Sequence, residues 1–241
     1  MLAGGALALP AWAQRVSPGL EAPVLPSVSG TDIKLDIGHA MVSVDGRTTH
    51  AVAVNGSVPG PLLRLREGQN VRLSVTNDLD EDSSIHWHGL LLPAQFDGVP
   101  GVSFPGIKPR STFVYEFPIR QSGTYWYHSH SGLQEMMGHY GPIVIDPAGT
   151  DRAPYDREHV LVLSDHSFSH PHSIFRNLKL QPGYYNDQKQ TLAGLLAGKD
   201  QRAGERLDWA AMRMDPTDIS DATAATFAYV INGYGPADNW T

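Results

Sequence analysis

Residues 70–77 read "NVRLSVTN". Successive side chains of an extended chain point to opposite faces. Val71, Leu73 and Val75 therefore share one side, and Arg72, Ser74 and Thr76 share the other. An apolar face backed by a polar one predicts a half-buried strand in an antiparallel sheet. The same character recurs on both sides of it. "DIKLDIGHAMVSV" (32–44) alternates, and Asp45-Gly46 predicts a hairpin into "THAVAVNG" (49–56). "TFVYEFPI" (112–119), "GTYWYHSH" (123–130) and "GPIVIDP" (141–147) add three more strands at close spacing. Short strands separated by turns predict an all-β sandwich or barrel.

Composition agrees. The 241 residues include 24 Gly and 18 Pro, which punctuate runs rich in Val, Ile, Thr and aromatics. The net charge of −7 argues against nucleic acid as a partner, since no basic stripe tracks phosphates. Cysteine is absent, which removes disulfides, thiolate zinc sites and thiol nucleophiles. The opening "MLAGGALALPAWAQ" is apolar and ends in a small-residue pattern, so residues 1–13 are expected to be the remnant of an export signal. That stretch is too short to span a bilayer.

Two of the strands carry an unusual pattern. "SIHWHG" (84–89) and "YHSH" (127–130) each hold two histidines separated by one residue. On a strand, positions i and i+2 face the same way, so His86 and His88 project together, as do His128 and His130. If the two strands are neighbours, their side chains meet within about 5 Å at Cβ. Neutral imidazole suits copper, zinc, iron and nickel, and copper(II) heads the affinity series. Coincidence, with one His of each pair exposed and the other bonded in the core, explains one such pair more readily than two. Four imidazoles on two strands do not enclose an ion, so the arrangement reads as half of a larger metal cluster.

The span from Ser84 to Gln134, with its His-X-His-Gly, "DGVPG" and "GTYWYHSH" segments, resembles the first cupredoxin domain of the multicopper oxidases. The Asn55-Gly56-X-X-Pro59-Gly60 segment fits as well. The resemblance is closest to the copper-resistance branch exported to the periplasm, which also accounts for "IFRNLK", "MRMDPTDISD" and "INGYGPADNWT" further on. It implies a cupredoxin-like Greek-key sandwich over 31–148, preceded by an extended lead-in (14–30). A linker (149–158) and the start of a second cupredoxin-like domain (159–241) follow, the latter with an irregular insertion at 167–225 and a short helix near 206–214.

By the same resemblance, His86 binds a type 2 copper, His88 and His128 share one copper of a type 3 pair, and His130 binds the other. Asp97 falls where the family often keeps an acid that supplies protons to reduced oxygen; a turn Asp before Gly is the equal alternative. The implied activity couples oxidation of a donor, with copper(I) the expected one, to reduction of dioxygen to water. Complete members also need a cysteine-bound type 1 copper and four further cluster histidines in a later domain. With no cysteine here, the expectation is the N-terminal part of a longer enzyme, inactive by itself until the missing C-terminal domain completes the cluster. Two rival readings stay open: a cupredoxin-like module that sequesters copper without turnover, and a structural relative that has lost its metals.

Weaker signals remain. His166, His170 and His172 offer loose copper binding in a loop, although a solvated polar loop is the simpler reading. Met136, Met137, Met212 and Met214 offer thioethers for copper(I), or plain core filling. His39, His50, His139 and His159 have no partner at ligand spacing in the sequence.

Overall fold

In the computed structural model, Val71, Leu73 and Val75 of the opening stretch are fully buried, while Asn70 and Arg72 of the same strand are exposed. The structure describes residues 25–150, 155–180, 196–198, 204 and 227–238. The export-signal stretch, the 206–214 helix, Met212 and Met214 lie outside them.

Nine strands build the first unit: β1 (Ser27–Ser29), β2 (Asp32–Val44), β3 (Arg47–Val54), β4 (Leu62–Arg66), β5 (Asn70–Asn77), β6 (His86–His88), β7 (Ser111–Pro118), β8 (Gly123–His128) and β9 (Tyr140–Asp146). They form two sheets, β3-β2-β5-β7 and β1-β4-β9-β8-β6. One core joins them: Leu35, Leu73 and Tyr115 come from the first sheet, and Leu63, Trp87, Tyr127 and Ile143 from the second. This is the cupredoxin-like sandwich. The hairpin at Asp45-Gly46 is present, and both turn residues have the positive φ (50° and 71°) that a tight two-residue turn requires.

One expectation is corrected. β5 pairs antiparallel with β7 but parallel with β2, so its sheet is mixed. Alternation reports that one face is buried; it carries no information on the direction of the neighbouring strand. Parallel pairs recur at β1–β4 and β4–β9, as they must when the chain crosses between two sheets instead of meandering in one.

Beyond the sandwich, β10 (Leu163–Ser167) and β11 (Phe227–Ile231) pair antiparallel, and α1 (Pro171–Leu180) follows β10. Part of the stretch expected to be irregular is therefore helical. Proline suits the first helical position, and Pro171 and Ile174 bury one short stripe. Phe175 and Leu180 of the same ten residues are exposed, so the stretch carries little periodic signal. His166 consequently sits in a strand and His172 in a helix, which corrects the solvated-loop reading. The rim of this unit meets the sandwich through Tyr140 Oη and Ser164 Oγ (2.7 Å), and through Arg47, whose guanidinium lies 3.7 Å from the centre of the Phe168 ring.

Candidate metal centre

β6 lies antiparallel beside β8, with His86 opposite His128 and His88 opposite Trp126. The intervening Trp87 and Tyr127 point into the core and are buried. That alternation sends the imidazoles to the other face together. The ligand atoms of His86, His88 and His128 all lie within 4.8 Å of one another. His130, two residues past the end of β8, is not part of this tightest group. Its ring still packs 4.5 Å from that of His86 and 4.9 Å from that of His128, centre to centre. Trp126 stacks on His128 at 4.0 Å and covers one side of the cluster.

Two of the rings, His86 and His128, are held in a defined orientation through Nδ1. His86 Nδ1 lies 2.7 Å from the main-chain oxygen of Asp97, so it donates there and leaves Nε2 as the free lone pair. The Asp97 carboxylate is farther, 3.5 Å from the same nitrogen. Asp97 is brought to the site, but its closest contact is through the backbone. Gly98 makes this approach possible: its φ is +80°, and a Cβ there would collide with the Ile85 carbonyl. His128 Nδ1 lies 2.6 Å from Glu135 Oε2, which leaves its Nε2 facing His88 Nδ1 at 3.2 Å.

A polar scaffold fixes the loop behind the rings. Gln134 is buried, accepts from the hydroxyls of Ser83 (2.7 Å) and Ser129 (2.9 Å), and donates to Glu81 and to the Asp82 carbonyl. The His130 N–H donates to Ser84 Oγ at 3.0 Å. Sequence reasoning missed Glu135, Gln134 and Ser84. No spacing rule marks them, because their roles arise where the 131–138 turn folds back over β6.

Burial, and then repulsion from neighbouring imidazoles, hold His88 and His130 below the usual histidine range. Both are neutral at neutral pH, the state that ligates metal. Glu135 is held below the usual carboxylate range, chiefly by its bond to His128. The geometry suits a transition metal. Two imidazole nitrogens each about 2.0–2.1 Å from one ion lie roughly 3 Å apart, close to the 3.2 Å between His88 and His128. An all-nitrogen donor set with no thiolate fits copper.

Other sequence candidates go elsewhere. The His170 and His172 rings stack 5.4 Å apart at the start of α1, while His166 packs on Phe168. Met137 packs against the core and Met136 is exposed. Among the described residues no helix is long and apolar enough to cross a membrane.

A paired-strand imidazole cluster on a cupredoxin sandwich defines a class, and comparison with known proteins agrees: the multicopper oxidase family model matches residues 36–150. The chain belongs to the multicopper oxidase family. Within that family it is similar to copper resistance protein A of Escherichia coli, at 46% identity over all of this chain and 40% of that protein. The copper resistance protein A homolog of Pseudomonas syringae pv. tomato is 48% identical over 96% of this chain and 39% of its own length. Among solved structures, a laccase from Botrytis aclada superposes with a TM-score of 0.59 at 37% identity, covering 66% of this chain and 30% of the laccase. The chain thus spans about two fifths of the length of the copper resistance proteins it matches.

Proposed function

We propose that this chain supplies one side of a trinuclear copper centre in an oxidase that serves copper tolerance. The 3.2 Å approach of His88 Nδ1 to His128 Nε2 carries the reading, because it leaves the two nitrogens as they would stand on one shared ion. In this reading His88 and His128 hold one copper of a type 3 pair, His130 the other, and His86 the type 2 copper through Nε2. The chemistry copper supplies when bound is one-electron transfer, four of which take dioxygen to water.

The chain's own residues do the rest. The strands hold the imidazoles at fixed separation, so little rearrangement accompanies metal binding. The Asp97 carboxylate, next to the His86 ring, passes protons to reduced oxygen. Copper(I) is the donor we favour, since the relatives in hand are copper resistance proteins. The same likeness, with the apolar stretch 1–13, supports a periplasmic location. With no cysteine, this chain has no thiolate for an electron-entry copper, and we expect no oxidase turnover from it alone.

Copper titration of the purified chain, read by copper content and EPR, tests the reading. His88→Ala and His128→Ala are each expected to lower copper content, and His86→Ala to remove the type 2 EPR signal. Unchanged copper in all three would sink it. Copper kept by the chain alone through exhaustive dialysis would point to sequestration instead. In the full-length protein Asp97→Asn keeps the carbonyl that holds His86, so copper content should stay while oxygen uptake slows.

A further inference from the structure

The four histidines of the cluster are not held alike. His86 and His88 lie on β6 and His128 ends β8, so sheet pairing fixes their backbone; His130 lies two residues beyond β8. Side chains hold it instead. The His130 N–H donates to Ser84 Oγ at 3.0 Å, and the Ser131 hydroxyl donates to the same oxygen at 2.9 Å. The Ser131 N–H donates to Ser129 Oγ at 3.0 Å. Ser83, Ser84 and Ser129 are all buried.

Both serine segments are tied to one amide. Gln134 is 2% exposed, and its side chain makes two bonds as acceptor and two as donor. Oε1 takes the Ser83 hydroxyl, from the segment that runs into β6, and the Ser129 hydroxyl, from between His128 and His130. Nε2 gives one proton to Glu81 Oε1 at 2.9 Å and one to the Asp82 carbonyl at 3.0 Å. The Glu81 carbonyl is anchored in turn by the buried Asn77 of β5. The residue after Gln134, Glu135, holds His128 Nδ1. One side chain thus links the entry to β6, the exit from β8 and the turn that orients His128.

Resting on the copper-cluster reading above, we propose that Gln134 is a positioning residue for the copper ligands. Its amide sets where His130 and Glu135 stand relative to His86, and copper affinity depends on it. Two acceptor and two donor contacts on one buried group call for a primary amide. A carboxyl of the same length keeps both serine hydroxyls but faces the Glu81 and Asp82 oxygens with at most one proton to share. A buried polar network is rigid when every member is satisfied and loosens when one is not. Ligand spacing is what changes here, since no strand pairing holds His130 in place.

Copper affinity and copper-free amide exchange over residues 128–131, both in the full-length protein, test the role. Gln134→Glu should weaken copper binding about 10- to 100-fold, the usual cost of losing support behind metal ligands, and speed the exchange. Adding Glu81→Gln moves the amide to the other side of the same contact and should recover part of both. Ser129→Ala, a milder change that removes one hydroxyl, should give a smaller loss in the same direction. Leu73→Ala is the control for lost stability and should leave the affinity of folded molecules near wild type. Wild-type affinity in Gln134→Glu and Ser129→Ala, a loss no greater than that of Leu73→Ala at equal stability, or a loss that Glu81→Gln leaves unrepaired would each overturn the proposal. Copper that falls in His88→Ala but holds in Gln134→Glu strikes out Gln134 alone; copper indifferent to both His88→Ala and His128→Ala strikes out the cluster and this role with it.

Discussion

At His128, the 2.6 Å contact between Nδ1 and Glu135 decides which nitrogen faces the cluster. A ligating histidine whose other nitrogen is held by a carboxylate is better oriented and more basic. Glu135→Ala should therefore weaken copper binding about 10- to 100-fold, with Glu135→Gln restoring part of it because the amide oxygen still accepts. Isothermal titration with copper measures both; equal affinities for wild type and the Ala variant would remove Glu135 from the site. His139 poses a different question. It is fully buried, neither ring nitrogen has a hydrogen-bond partner among the described residues, and burial together with the charge of His128 lowers its pKa to about 3. The folded state keeps this ring neutral, while the unfolded chain takes up a proton near 6.5. Its contribution to stability is thus whole above 6.5 and is lost as pH falls toward 3, by about 1.4 kcal/mol per pH unit. His50, His88, His130 and His166 are lowered too and add with the same sign. The depressed carboxylates Glu135, Asp146 and Asp238 lose their contribution only below their ordinary values of 4.5 and 3.8. Urea midpoints at about pH 7 and pH 5 should therefore separate less in His139→Leu than in wild type.

Among the described elements, β6 is a short edge strand like β1: three residues, with β8 as its one strand neighbour. Its position depends on the turn that leaves β5. There the buried Asn77 donates to the carbonyls of Glu81 (2.8 Å) and Ile107 (2.9 Å) and accepts from the Leu79 N–H (3.0 Å). Asn77→Ala leaves those groups unpaired in a dry interior, at a cost of about 1–3 kcal/mol for each one that stays unsatisfied. The expected outcome is a lower urea midpoint together with weaker copper binding, because the register of β6 loosens with the turn. A variant that lost stability but bound copper as well as wild type would show that β6 is held by β8 alone. By contrast, Leu73→Ala, deep in the sandwich and remote in sequence from the loop, should cost about 2–5 kcal/mol of stability with little effect on copper affinity in the molecules still folded.

Across the whole molecule, Arg64 joins the sandwich to the segment that leads into β10. From β4 it donates to Asp146 on β9 at 2.9 Å and pairs with Glu158 as well. These groups are about one-third exposed, so the pairs add little to global stability; their expected effect is positional. Arg64→Ala should speed limited proteolysis near 150–160 while leaving the thermal midpoint nearly unchanged, and equal cleavage rates would assign the attachment to Asp45, Arg47 and Tyr140 instead. Alternation at Val71, Leu73 and Val75, the Asp45-Gly46 turn and the two His-X-His pairs were legible in the sequence, because a strand's period of two and a tight turn's backbone demands are local properties. So was the expectation that the pairs share a face. The parallel partner of β5, the helix after β10, the hold of Glu135 on His128, the Asp97 carbonyl on His86 and the meeting of the His39 and His50 rings were not. Each depends on which distant segments the fold sets side by side, and that is settled by how two twisted sheets close around a shared core and where the second unit attaches to them, not by any short run of residues.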